Sequence, residues 1–223
     1  MIIFLGFKMM LKKEREVAYL IEKYLDTIRG WQRTASEAVL SYFMDDLEGL
    51  KLAFLSKNQF QTTAEKDRQH IWQKLCEGAY LPTIRGSLFS ITTNASRIAN
   101  SATVCCETFL FQQPKISQKL TTEFSSITKG TFNLFQPVYD SILYYLRGMD
   151  VFKMTSRNTE VFWKLKTEVI LSEDELKHQI YVSSLNPWRK TQLNMCAQSI
   201  TAVSNRISEM EDEIQLIIAK LVF

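Results

Sequence analysis

From Val17 onward the apolar residues Val17, Ile21, Tyr24, Ile28, Trp31, Ala35, Ala38 and Tyr42 recur at alternating steps of four and three, with polar and charged residues between them. That spacing puts them on one stripe of a single long helix. A second stripe, Ile84, Leu88, Ile91, Ala95, Ile98, Ala102 and Cys105, begins just after Pro82, a residue that suits the first turn of a helix. A third follows Pro187 and runs Leu193, Ala197, Ile200, Val203, Ile207, Met210, Ile214 and Ile217. Repeats of this period pack helices nearly parallel, as in bundles. Residues 59–78, 116–149 and 158–185 read as further helices, which makes six, and Gly130 and Pro137 should bend the fourth. With only seven glycines and four prolines in 223 residues there is little material for tight turns or short strands, so the expected fold class is all-α.

The sequence also repeats internally. AEKDRQHIW from Ala64 is echoed by EDELKHQIY from Glu173, and SRIAN from Ser96 by NRISE from Asn205. One shift of 109 residues relates both pairs, carrying Glu65 onto Asp174 and Asn100 onto Glu209, and it also carries Ile71 onto Ile180, Ile91 onto Ile200 and Ile98 onto Ile207. A shift that serves two motifs and the apolar stripes together predicts two three-helix units, residues 1–110 and 111–223, in one compact six-helix domain.

Charge and composition narrow the function. A net charge of +3 without a long Lys/Arg run gives no track for a phosphodiester backbone, so nucleic acid is not an expected partner. The four cysteines, Cys76, Cys105, Cys106 and Cys196, form no C-x-x-C pair and read as reduced thiols of a cytoplasmic protein. The opening MIIFLGFKMM is too short to span a bilayer and reads as a segment that packs on the core or on a partner, with docking to a membrane face as its alternative. No nucleophile elbow, phosphate-binding glycine loop or H-E-x-x-H occurs, and the expectation is a non-enzymatic protein.

At Ala64 to Asn100 the chain resembles the PhoU-like family, specifically the accessory proteins of low-affinity inorganic phosphate permeases. Ala64-Glu65, Arg68, Ile71, Leu81-Pro82, Arg85 and Ile98-Ala99 fit that family's E-x-E-A-D-x-x-(K/R)-x-x-I motif, its leucine-proline and arginine, and its D-x-I-A-D. The resemblance implies two three-helix bundles, a regulatory role in phosphate transport exerted on a permease or its control machinery at the cytoplasmic membrane face, and carboxylates that hold iron or zinc clusters. Carried over, the ligand positions are Gln61, Glu65, Ser96 and Asn100 in the first unit and Ile170, Asp174, Asn205 and Glu209 in the second, so only Glu65, Asp174 and Glu209 keep a carboxylate. A multinuclear cluster needs several negative charges to balance its own, and no resident metal cofactor is expected here.

Other constellations read more plainly. Asp67-x-x-His70 and Glu175-x-x-His178 place a carboxylate and an imidazole one turn apart, as a di-iron or metal-storing bundle would, but flanking Lys66, Arg68, Lys177 and Gln179 suggest solvated faces. Phe132, Phe135, Tyr139, Phe162 and Trp163 read as core or interface, and Arg85, Arg97 and Arg206 as ordinary paired cations rather than a phosphate site. A scaffold that has lost its metal sites is a further alternative. Leu20, Leu25, Val39, Leu40 and Phe43 lie off the first stripe, and with the apolar head they predict a homodimer or a membrane partner docking on the first helix, unless the second unit covers them.

Overall fold

The computed structural model describes residues 12–148 and 151–222; the apolar head lies outside them. Among these residues all regular structure is helical: α1 (Lys12–Tyr42), α2 (Leu47–Leu55), α3 (Lys57–Cys76), α4 (Pro82–Gln112), α5 (Gln118–Asn133), α6 (Phe135–Leu146), α7 (Val151–Val182) and α8 (Pro187–Val222). Two pairs are broken rods, α2 with α3 at Ser56 and α5 with α6 at Leu134, so the described residues form six rods.

Local chemistry sets these boundaries. Pro82 and Pro187 open α4 and α8, where a missing N–H leaves no helical bond unmade. Asp46 caps α2 by accepting the Gly49 N–H at 2.8 Å. The α5/α6 break has the cause expected of Pro137: its ring crowds the carbonyl four residues back, at Asn133, where α5 ends. Gly130 has a different role from the bend expected of it, because a Cβ there would lie 2.9 Å from Val169 Cγ2, so the missing side chain lets α5 approach α7.

The three stripes form the core. All of Val17 to Ala38 in the first stripe, Leu88 to Cys105 in the second and Leu193 to Ile217 in the third are buried, while Tyr42 and Ile84 are half-buried at the ends. α4 and α8 pack antiparallel at the centre, Gln192 donating to the Gln112 carbonyl at one end and Lys220 reaching Ser87 at the other. α1 is enclosed on two sides. Tyr24 and Trp31 donate to the Thr92 and Ala99 carbonyls of α4, while Tyr139 of α6 donates to Asp26 at 2.7 Å and Phe43 meets Phe124 of α5.

This enclosure corrects one expectation. Leu20, Leu25 and Val39 are buried and Leu40 and Phe43 half-buried in a helix that α2 to α6 all pack against, so these five residues give no free apolar face to a second copy or a membrane partner. Exposed apolar side chains stand elsewhere, at Leu52 and Leu55 of α2 with Phe111 of α4, and along α7 at Trp163 and Leu171. Of the aromatic group, Phe132, Phe135, Tyr139 and Phe162 are core, whereas Trp163 is exposed. Cys105, Cys106 and Cys196 are buried and Cys76 exposed, all as free thiols.

Candidate functional site

The four carried-over positions of the first unit gather around one cleft. α3 contributes Gln61 and Glu65, α4 contributes Ser96 and Asn100, and α1 supplies a wall of Tyr24, Ile28 and Trp31, closed by Phe60. The cleft has a volume of about 260 Å³. Its wall is held in place: Trp31 Nε1 donates to the Ala99 carbonyl at 3.1 Å and packs on Phe60 at 5.7 Å between centroids. Tyr24 is held by its bond to the Thr92 carbonyl, and burial drives its hydroxyl well above the ordinary phenol range, so it stays a neutral phenol whose one proton is committed to that carbonyl.

Glu65 is engaged on both oxygens. Oε2 accepts from Arg68 Nε at 3.1 Å and Nη2 at 2.6 Å, and Oε1 accepts from Gln69 at 3.0 Å. The Arg68 guanidinium in turn lies 4.7 Å from the centre of the Trp72 ring. Gln61, Ser96 and Asn100 add neutral groups only. One carboxylate already neutralised by an arginine does not fit a multinuclear cation cluster; the arrangement suits a small polar ligand lying on an aromatic wall.

The second unit departs further. Asp174 is exposed on α7, and Glu209 is exposed on α8 with both oxygens on Arg206, at 2.7 and 2.8 Å. Where Asn205 turns toward α7, the nearly buried Lys166 donates to Ser204 Oγ at 2.9 Å and to Asn205 Oδ1 at 3.0 Å. Burial lowers the Lys166 pKa, and the charge of Glu173 partly opposes that. A side-chain cation thus occupies the polar seam between α7 and α8. Deeper along the seam Glu211 is almost fully buried; its Oε1 accepts from Thr159 at 2.8 Å and Gln215 at 2.7 Å, Oε2 has no partner, and burial raises its pKa. Among the described residues no group of three or more His, Cys, Asp and Glu comes together in a way that could hold a metal ion.

The two carboxylate and histidine turns differ from each other. Asp67 is buried, not solvated, and accepts from Lys23 of α1 at 2.9 Å, which pulls it away from the exposed His70. That bond raises the Lys23 pKa. Glu175 and His178 are both exposed. The three arginines are tied locally, Arg85 to the Tyr80 carbonyl, Arg97 to Asn94 and Arg206 to Glu209. Sequence reasoning missed Lys166, since a lysine within KLKTE has the look of any solvated lysine, and it read Tyr24 and Trp31 as core alone. Their polar handles were the available signal, because a buried Tyr or Trp must find a hydrogen-bond partner.

Six helical rods in this order, with an aromatic cleft on the first unit and a lysine-filled seam on the second, define an all-α bundle with the PhoU-like fold. The chain superposes on the crystal structure of a PhoU-like protein from Shewanella oneidensis with a TM-score of 0.82 at 13% identity, covering 91% of this chain and 99% of that one. A second protein of that organism, proposed to be a PhoU-like phosphate regulatory protein, gives a TM-score of 0.79 at 14% identity over 92% and 99% of the two chains. In sequence the chain is similar to a UPF0111 protein of Thermotoga maritima, 17% identical over 94% of this chain and 96% of its relative. It is likewise similar to a UPF0111 protein of Pyrococcus horikoshii, 21% identical over 93% and 97%. No protein-family model matches the chain. The resemblance read from the Ala64 to Asn100 stretch therefore holds for the fold along nearly the whole chain.

Proposed function

We propose that this chain is a non-enzymatic regulatory or accessory protein of phosphate transport, acting from the cytoplasm by binding a permease, or the machinery that controls one, at the membrane face. The observation that carries the reading is the end-to-end likeness to a structure proposed to be a phosphate regulatory protein, which spans 92% of this chain and 99% of that one. Two features support it. Among the described residues no helix is long and apolar enough to cross a membrane, which suits a protein that works on a membrane partner from outside the bilayer. The cleft offers an aromatic wall, the neutral polar side chains of Gln61, Ser96 and Asn100 and one neutralised carboxylate, a lining that suits the binding of a small polar ligand.

We also read residues 1–110 and 111–223 as duplicated units. In support, the 109-residue shift carries buried Ile71, Ile91 and Ile98 onto buried Ile180, Ile200 and Ile207. A homodimer would use the exposed Leu52, Leu55 and Phe111 rather than α1. The test is to capture phosphate permeases from native membranes with the full-length chain and to measure phosphate uptake with and without it. A chain that retains no permease component and whose loss leaves uptake unchanged refutes the reading. Light scattering on the chain and on Leu55→Glu tests the dimer, which the substitution should dissociate.

A further inference from the structure

One end of the bundle carries a charge pattern that the cleft and seam do not explain. α1 starts at the opposite end, where Tyr80 donates to the Glu14 carbonyl; at this end Tyr42 donates to the Pro114 carbonyl and Gln192 to that of Gln112. Between the α4–α5 loop and the α7–α8 turn lies a groove of about 490 Å³. Among the described residues its charged lining is Lys115, Lys119 and Arg189, with no carboxylate, over a floor that includes Ile116, Leu120 and Leu185. Beside it stand three of the more exposed apolar side chains, Tyr181 at 77%, Val182 at 62% and Trp188 at 74%. Three acids stand around the groove but do not line it: Asp45 shares the neighbouring cleft with Lys115, Glu175 accepts from Gln179, and Glu123 lies one turn beyond Lys119 on α5.

The pattern is built, not frayed. Asn186 Oδ1 caps α8 by accepting the Arg189 N–H at 2.9 Å, and Lys190 Nζ donates to the Tyr181 carbonyl at 2.6 Å while lying 5.8 Å from its ring centre. A tryptophan, a tyrosine and a valine standing out at a helical tip among cations match the interface of a bilayer, where amphipathic rings sit at headgroup level and cations meet anionic lipid. An acidic protein surface would also take tryptophan and tyrosine anchors, and vesicles that contain no protein separate the two.

We infer that the tip formed by the α4–α5 loop and the α7–α8 turn docks on an anionic lipid surface, with Trp188, Tyr181 and Val182 entering the interface and Lys115, Lys119 and Arg189 meeting headgroup charge. The inference deepens the reading of a protein at the membrane face and rests on it for its biological sense. Vesicles contain no permease, so the two can fail separately: binding to vesicles without capture of a permease overturns only the regulatory reading.

The experiment is co-sedimentation of the full chain with phosphatidylcholine vesicles, pure or carrying about one-third phosphatidylglycerol, at low and at physiological salt. Binding to the anionic vesicles alone, weakened by salt, is expected. Each cation near such a surface contributes about fivefold, so Lys115→Glu combined with Lys119→Glu should weaken binding by at least about twentyfold. Trp188→Ala should weaken it by about tenfold. These side chains are exposed, and circular dichroism will check that the fold is intact. Equal binding to neutral vesicles, no binding at low salt, or binding that the variants leave unchanged overturns the inference. So does displacement by millimolar inorganic phosphate at constant ionic strength, which would make the groove a site for a soluble anion.

Discussion

Gly130 offers a test of how closely α5 and α7 must pack. Replacing a helical glycine by alanine ordinarily stabilises by about 1 kcal/mol, since the backbone loses less entropy on folding. Here the new Cβ would lie 2.9 Å from Val169 Cγ2, closer than real Cβ atoms come to a neighbour. Val169 is 2% exposed, and a valine in a helix has essentially one rotamer, so relief must come from shifting a rod. Overpacking of this kind costs about 1–3 kcal/mol. The two effects leave Gly130→Ala destabilised by about 1 kcal/mol despite its better helix propensity. Val169→Ala alone should cost about 2 kcal/mol through its cavity. In the Gly130→Ala background it should cost clearly less, because it also removes the clash, giving a coupling of about 1 kcal/mol. Urea unfolding followed by circular dichroism supplies all four corners of the cycle, with an unchanged m-value as the check on two-state behaviour. A Gly130→Ala variant with a raised midpoint, or strictly additive effects, would refute the reasoning.

Three further outcomes follow. Elemental analysis of protein prepared without chelators should find less than one iron or zinc per chain, since Glu65 and Glu209 are committed to Arg68 and Arg206; a higher content that Glu65→Gln or Glu209→Gln removes would contradict this. Burial raises the Glu211 pKa above its ordinary 4.5, so its contribution to stability is complete below that value and is lost as pH rises through the folded-state value. Glu211→Gln should therefore unfold at higher denaturant than the parent at neutral pH, and the advantage should vanish near about pH 4 in urea melts across that range. Because α1 is enclosed by α4 on one side and α5 and α6 on the other, residues 1–110 and 111–223 expressed apart should lack a cooperative unfolding transition and regain it when mixed, whereas a half that melts cooperatively alone would contradict the single core.

How much of this was legible differs from residue to residue. Pro137 acts through its own ring on a carbonyl four residues away, so the break at Leu134 could be read locally. Gly130 could not, because its reason is Val169, a residue of another helix. The carried-over positions Gln61, Glu65, Ser96 and Asn100 were legible as a set, and they do line one cleft. That Glu65 is spent on Arg68 and Gln69 was open to a reading of i, i+3 and i, i+4 spacing, whereas the Tyr24 and Trp31 wall came only from how α1 lies across α4.

By itself the sequence determined the class of element and its buried face, because a period near 3.6 residues is a property of one chain segment and burial acts on whatever stripe that period creates. Only the tertiary structure decided that the second apolar face of α1 is covered as well as the first. Leu25 and Val39 are as apolar as an exposed interface would be, and they are buried because the other helices pack around α1. The same holds for charge. Lys115, Lys119 and Arg189 are scattered over three segments, and only the meeting of the α4–α5 loop with the α7–α8 turn makes them one field, since electrostatic energy depends on distance in space and not on separation along the chain.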